Sequence, residues 1–229
     1  MSVTPAEAWT TARHPLARLL RSVAAGQKPE PDGKWTRVSP WIPTIQAMVV
    51  FPEHTIMAVS YDISDEALVD LGVDGHGQAF TARTVTALAG PTGWVGVPQV
   101  LFCALGTGSG QGGALTARSD LSKHPAVELA RRTLQDVQVL SSGDPADPDV
   151  VVLGRGVAGI REFVVHRPHP YAPSGAQLVQ AALGCVPENE VVLRCIPTYD
   201  APRISAAVEG GMIPIGGVQL FSTRPEHKL

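Results

Sequence analysis

Two histidines separated by two residues, His166 and His169, form a short pattern with possible chemistry in this chain. On a helix, this spacing would place both imidazole rings on one face, where they could bind a metal ion. Pro168 and Pro170 exclude a helix here, and a zinc site would need further ligands. The pattern therefore favours a polar loop over a metal site. His166 alone, directly after an apolar run, is a candidate acid or base in a cleft.

A glycine-rich segment, residues 106–113 (GTGSGQGG), follows a predicted strand, as a phosphate-binding loop would. The segment lacks the lysine of a P-loop. Its glycines also run past the spacing of a dinucleotide-binding loop, and the next predicted helix starts only at residue 125. A flexible connector is therefore the favoured interpretation. We predict that it separates two regions, residues 1–117 and 118–229.

The composition restricts the class of protein. Hydrophobic residues make up 44% and charged residues 17% of the 229 residues, which is typical of a globular chain with a core. The net charge of −3 argues against nucleic acid as a partner. The three cysteines form no CxxC pair, so we expect no disulfide framework and no metal site. With no membrane-span segment and no recognisable signal peptide, we expect a cytoplasmic protein without membrane association.

Both regions alternate predicted helices and strands, which indicates an α/β fold with helices packed on a sheet. In the first region we predict helices at 14–25, 64–71 and 82–89, an extended loop at 27–43, and strands at 45–51, 55–61 and 94–105. In the second region we predict helices at 125–134, 174–183 and 203–209, and strands at 136–141, 150–154, 159–166, 190–197 and 213–221.

The last five of these elements carry two motifs. Residues 172–177 (APSGAQ) open a helix, and residues 200–212 (DAPRISAAVEGGM) form a capped helix with a glycine end before a PIGGVQLF strand. In order and turn residues, this block resembles the C-terminal half of the GNAT superfamily of N-acetyltransferases. The resemblance covers about a quarter of the chain. It implies a GNAT-like mixed, twisted sheet flanked by helices, with residues 1–117 as an N-terminal companion region. Whether that region is a reduced second copy of the GNAT domain stays open.

The resemblance implies acetyl-CoA or another acyl-thioester as co-substrate. In the family, a [Q/R]xxGx[G/A] loop holds the CoA pyrophosphate through N–H groups at a helix start. Within residues 172–177 only Gly175 matches this pattern, and three nearby prolines lack an N–H: Pro168, Pro170 and Pro173. We therefore expect a weakened pyrophosphate site. The resemblance implies that the pantetheine arm lies beside the predicted strand at 159–166 like an extra strand. The residues implied for co-substrate binding are Val164, Val165, Ser174, Gly175 and Ala176.

The resemblance also implies catalytic roles. Glu162 lies in mid-strand, where some acetyltransferases place the general base, and His166 follows as a further candidate. Ala207 occupies the position of the tyrosine that protonates the leaving thiolate in many members. Tyr199, at the end of a predicted strand, is the candidate that could replace it as acid.

The function implied is acyl transfer from acyl-CoA or a pantetheine carrier to an amine or similar small nucleophile, in small-molecule metabolism. An acyl carrier protein is a candidate partner, because it brings its own binding surface. Two alternatives stay open: CoA-independent chemistry on a small metabolite in the same fold, and a non-catalytic module that binds a ligand or a partner.

Overall fold

A computed structural model of the chain describes residues 14–109, 115–142, 148–168 and 175–225. The chain divides into two compact units, the first formed by residues 1–96 with 218–229 and the second by residues 97–217. These bounds differ from the predicted division at residue 117. The strand at residues 99–105 pairs along its whole length with the strand at residues 191–197, so the chain before the glycine-rich segment belongs with the second unit.

The first unit is a mixed sheet with helices. Its elements are α1 (Pro15–Ala24), β1 (Lys34–Val38), β2 (Gln46–Phe51), β3 (His54–Ala58), α2 (Asp65–Asp70), α3 (Ala82–Ala89), β4 (Trp94–Val95) and the end of β11 (Ile213–Ser222). The strand order is β1–β3–β2–β11, and β4 also pairs with β11. The buried core includes Met48, Met57, Val85, Leu88 and Phe221.

Local signals explain why the predicted helices and hairpin of this unit are confirmed. The Ser64 hydroxyl accepts a hydrogen bond from the Ala67 N–H, and the Thr81 hydroxyl accepts one from the Thr84 N–H, so both helices begin at capping residues. The prediction of an extended loop at 27–43 is wrong in part. It contains β1, which pairs in parallel with β3 and has only its last residue fully buried, so its apolar pattern is weak.

The second unit is a mixed α/β layer structure. Its elements are β5 (Gln99–Leu105), β6 (Thr116–Ala117), α4 (Pro125–Ala130), β7 (Gln135–Ser142), β8 (Asp149–Arg155), β9 (Arg161–His166), α5 (Gly175–Gly184), β10 (Val191–Pro197) and α6 (Ala201–Glu209). The strand order is β5–β10–β9–β8–β7–β6. The β9–β10 pair is parallel, and the other neighbouring pairs are antiparallel.

Helices cover both faces of this sheet. Val151 and Phe163 belong to one buried cluster with Leu178 of α5 and Ala207 of α6. Their strand neighbours belong to a second cluster with α4: Val150, Val152 and Val164. Because successive residues of a strand point to opposite faces, α5 and α6 lie on one face and α4 on the other. This α/β architecture confirms the predicted fold class of a mixed sheet flanked by helices.

The predicted strand at 94–105 is two strands, β4 and β5, and its middle residues are not paired as a strand. Pro98 lies between them and has no N–H to donate to a ladder. Its carbonyl accepts a hydrogen bond from the Thr198 N–H, which fixes the start of β5 beside the end of β10. Among the residues that the structure describes, none of the helices is both long and apolar enough to span a bilayer.

Candidate functional site

The parallel strands β9 and β10 separate soon after they meet. Within these two fully described strands, the ladder consists of the pairs Arg161–Val192 and Glu162–Leu193. The far edge of β9 pairs with β8 up to His166, and the far edge of β10 pairs with β5 up to Pro197. Residues 163–166 and 194–197 therefore face each other across an opening, the β9–β10 wedge. Backbone groups along its two sides are left to bind something other than each other.

A small cleft lies on the α5–α6 face of this wedge. Its volume is about 10 Å³, about the space of one water molecule, and three arginines line it: Arg167, Arg194 and Arg203. The rest of the lining is small or apolar and includes Val165, Gly175 and Ala206. The cleft is therefore positively charged on an apolar base, and the first residue of α5 is at its edge.

Arg194 is the buried arginine of the cleft, with 3% of its surface exposed. Its guanidinium carbon lies 5.5 Å from the centroid of the Phe163 ring, a cation–π contact. Its Nη1 is buried and has no hydrogen-bond partner among the described residues. Burial, with repulsion from Arg203, lowers the pKa of Arg194 to about 10, while Asp200 opposes the shift. The group therefore stays charged at neutral pH.

The two other arginines of the cleft have acidic partners. Arg203 Nη1 lies 2.9 Å from an oxygen of Asp200, whose other oxygen caps α6 by accepting the Arg203 N–H. Arg167 Nε lies 3.4 Å from a carboxylate oxygen of Asp149. Two of the three cations are thus paired with a carboxylate, and Arg194 is the charge that is left over.

The start of α5 is closely packed against the cleft. A Cβ atom on Gly175 would lie 3.0 Å from the Ala206 Cβ and 3.1 Å from Arg167 Nη1. A side chain at this position would therefore push on α6 and on the guanidinium together. The exposed N–H groups of a helix start carry partial positive charge, which adds to that of the arginines. Of the predicted co-substrate residues that the structure describes, two line the cleft: Val165 and Gly175.

Glu162 lies at the closed end of the wedge, on the α4 face of the sheet. Its Oε2 accepts a hydrogen bond of 3.1 Å from the Val157 N–H, and the Cys195 thiol also hydrogen-bonds the carboxyl group. Burial raises the pKa of Glu162, and these hydrogen bonds oppose the shift only in part. The pKa of the Cys195 thiol is raised well above its usual value by burial and by the Glu162 charge. A carboxyl group with a raised pKa can exchange a proton closer to neutral pH.

The chain folds over Glu162 in a tight turn. Gly156 lies so close to the Glu162 carboxyl that a Cβ atom there would overlap it. Ala158, in the 3-10 turn that follows, has a φ of 52°, a conformation that residues with a side chain rarely adopt. The turn therefore brings the Val157 N–H onto the carboxyl at some conformational cost.

Replacing Gly156 by alanine should lower the free energy of unfolding by about 1–3 kcal/mol, the usual cost of overpacking. Urea unfolding measures the change. In a Glu162→Ala background the overlapping carboxyl is absent, so the same substitution should cost much less. An equal cost in both backgrounds would contradict the proposed contact.

The other predicted site residues are spread around the wedge. His166 is half-buried, and its ring centroid lies 5.1 Å from that of His124, which caps α4. Val164 is half-buried on the α4 face, and Ala176 is half-buried in the first turn of α5. Tyr199 follows the end of β10 and is 75% exposed. Ser174 and His169 lie outside the described residues, so their roles stay predictions, as do those of the residues above.

No group of three or more His, Cys, Asp or Glu side chains among residues 14–109, 115–142, 148–168 and 175–225 is arranged to hold a metal ion. The cysteines Cys103, Cys185 and Cys195 are free thiols.

A hydrogen-bonded chain of side chains occurs in the first unit. Asp32 Oδ1 lies 2.9 Å from His54 Nδ1, and His54 Nε2 lies 3.3 Å from the Thr36 hydroxyl. Asp32 also accepts the Lys34 N–H, and these hydrogen bonds lower its pKa. We interpret these hydrogen bonds as holding β1 beside β3. Thr36 lies in β1, His54 begins β3, and Asp32 lies just before β1.

The three arginines of the cleft were not among the predicted site residues, although the sequence around one of them is unusual. Arg194 interrupts the apolar run of β10 (VVLRCIP), and a charged residue in a buried strand requires a partner or a function. Arg167 and Arg203 gave no such signal, since each lies among polar or turn-forming neighbours.

Comparisons with known proteins give no family for this chain. It matches no family model and no curated protein. Two solved structures are similar over 58% of the chain. One is a conserved protein of unknown function from Staphylococcus epidermidis, with 12% identity, a TM-score of 0.39 and 63% of its own length covered. The other is a candidate acetyltransferase of the GNAT family from Novosphingobium aromaticivorans, with 18% identity, a TM-score of 0.40 and 68% covered. At these values neither likeness carries an argument about function.

Proposed function

We propose that this chain is an acyltransferase that takes an acyl group from a pantetheine thioester and passes it to an amine or a similar small nucleophile. The observation that supports the proposal is the β9–β10 wedge, whose strands pair at Arg161 and Glu162 and then separate. An extended pantetheine arm, with its two amide groups, could occupy the wedge as an extra strand through backbone hydrogen bonds. The arm would contact the backbone of Val164 and Val165.

The acyl group would come close to Glu162 at the closed end of the wedge. A base at this position takes a proton from the attacking amine, directly or through a water molecule. The amine nitrogen then attacks the thioester carbonyl, the carbon–sulfur bond breaks, and the thiolate accepts a proton. Ala207 has no ionisable group, so that proton has to come from another residue. Tyr199 and His166 are the candidates near the wedge.

The carrier of the thioester need not be CoA. Each charge-assisted hydrogen bond that is lost costs about 1.5–3 kcal/mol, and the proline-rich sequence before α5, most of which lies outside the described residues, is short of N–H donors. Loss of two such bonds would weaken pyrophosphate binding about a hundredfold to ten-thousandfold. An acyl carrier protein supplies its own binding surface, so we propose it as an alternative donor.

The proposal predicts that acetyl-pantetheine and acetyl-CoA have kcat/KM values within about tenfold of each other. Turnover of the two thioesters, with the same acyl group and a panel of amines, measures this directly. Tight acetyl-CoA binding that disappears when the pyrophosphate is removed would contradict the prediction. No turnover with any thioester would contradict acyl transfer itself.

A ligand-binding module, or an enzyme with CoA-independent chemistry, is the second candidate. The observation that favours it is the charged Arg194 beside the wedge, because an uncharged pantetheine arm offers no anion to this guanidinium. Turnover of a thioester, which only an acyltransferase supports, separates the two candidates.

A further inference from the structure

Arg194 is a buried cation with an unsatisfied hydrogen-bond donor among the residues that the structure describes. The side chain is 3% exposed, and its Nη1 makes no hydrogen bond with the residues that the structure describes. Burying an ionised group without a hydrogen-bonded partner is costly, so a ligand that supplies the partner would be bound favourably. The neighbouring Arg203 makes the position still less favourable for a cation, because like charges repel.

The cleft around Arg194 is shaped to receive such a partner. Arg194 lines it together with Arg167, Arg203 and Gly175, so the cations and the start of α5 converge on one space. Gly175 keeps that space open, since a Cβ there would press on Arg167. The helix, which runs from Gly175 to Gly184, adds the partial positive charge of its first N–H groups.

We propose that this cleft is a binding site for the carboxylate of a small molecule, held by Arg194 at its base. The site does not depend on acyl transfer and would exist in an enzyme of either class or in a binding module.

The charge balance selects a carboxylate rather than a phosphate. Asp200 and Asp149 already pair with two of the three arginines, so one positive charge is left for the ligand. A monoanion neutralises that charge, whereas a phosphate dianion would leave a surplus negative charge beside Asp200. The planar guanidinium also matches the two oxygens of a carboxylate. The cleft is small and open to solvent, so it admits the carboxylate group of a ligand, and the rest of the ligand would lie outside against Val165 and Ala206.

The test is an NMR titration of the arginine Nε–Hε signals with propionate. The signal of Arg194 is identified by its absence from the spectrum of Arg194→Lys. Propionate should shift this signal with a saturating curve, and propionamide, which has the same shape without the charge, should not. Inorganic phosphate should bind more weakly than propionate.

Variants make the assignment specific. Arg194→Met should weaken propionate binding about ten- to a hundredfold, the value of one charge-assisted hydrogen-bonded contact. Arg194→Lys, which keeps the charge without the planar fork, should fall between the two. Arg83→Met removes an exposed arginine of α3 and should leave binding unchanged. In the variants, binding is followed calorimetrically.

Three results would overturn the proposal: an Arg194 signal that does not respond to propionate, an equal response to propionamide, and tighter binding of phosphate than of propionate. None of these measurements uses a thioester. Failure of the carboxylate site is therefore distinguishable from failure of the acyl-transfer proposal.

Discussion

Replacing Glu162 by glutamine is expected to lower the rate of acyl transfer about 10²- to 10⁴-fold, the usual contribution of a general base. Glutamine has nearly the same shape, and its side-chain oxygen can still accept the Val157 N–H. The variant should therefore keep the turn over the carboxyl and lose only the proton acceptor. Turnover of acetyl-pantetheine measures the loss, and KM should change much less than kcat.

The same substitution has a second, opposite effect on stability. Because burial raises the pKa of Glu162, the folded chain holds a proton on this group at pH values where the unfolded chain has released it. This group's contribution to stability is thus complete below its usual pKa of 4.5 and is lost as the pH rises through the raised value. Glu162→Gln should be more stable than the parent at neutral pH, with the difference shrinking in acid. Urea unfolding at several pH values tests this, and parallel pH profiles for the two proteins would contradict it.

Arg194→Met is expected to raise the free energy of unfolding by about 1–3 kcal/mol. The pKa of Arg194, which burial lowers to about 10, shows that keeping the group charged in the folded chain is unfavourable. Methionine fills a similar volume against Phe163 without a charge to desolvate. For a chain of this size, Tm should rise about 2–4 °C for each kcal/mol gained.

A matched control distinguishes relief of this buried charge from a general effect of losing an arginine. Arg83→Met should change the free energy of unfolding by no more than about 0.5 kcal/mol, because the side chain is exposed. Propionate should stabilise the parent and not Arg194→Met, since ligand binding to the folded state shifts unfolding. A strongly destabilised Arg194→Met would show that the guanidinium has a structural partner instead.

Much of the fold could be predicted because local signals and burial agree. The hydroxyl caps at Ser64 and Thr81, and the apolar, β-branched residues of β7 and β8, each indicate an element without reference to distant contacts. β1 was missed because its burial comes from pairing with β3, and its own residues alternate between exposed and half-buried. The predicted division at residue 117 rested on the glycine-rich segment alone, whereas the pairing of β5 with β10 joins residues far apart in sequence.

The candidate site was predictable only in part. Motif spacing pointed to Gly175 and to the strand that carries Glu162 and Val165. The spacing did not show which face of the sheet each side chain occupies. Glu162 lies on the α4 face, whereas Val165 and Gly175 lie in the cleft on the α5–α6 face. The cleft arginines come from three separate elements or turns, and their convergence depends on the tertiary fold. Sequence could at most have marked Arg194 as a charge inside an apolar strand.

Amide hydrogen exchange tests most directly the proposed binding of a pantetheine arm in the β9–β10 wedge. In the free protein, the N–H groups of residues 163–166 and 194–196 that face the wedge should exchange fast, because the strands pair only at Arg161 and Glu162. Adding acetyl-pantetheine should slow exchange at these positions on both strands together. Exchange that is unchanged in the wedge at saturating thioester, or protection that occurs only elsewhere in the chain, would contradict the account.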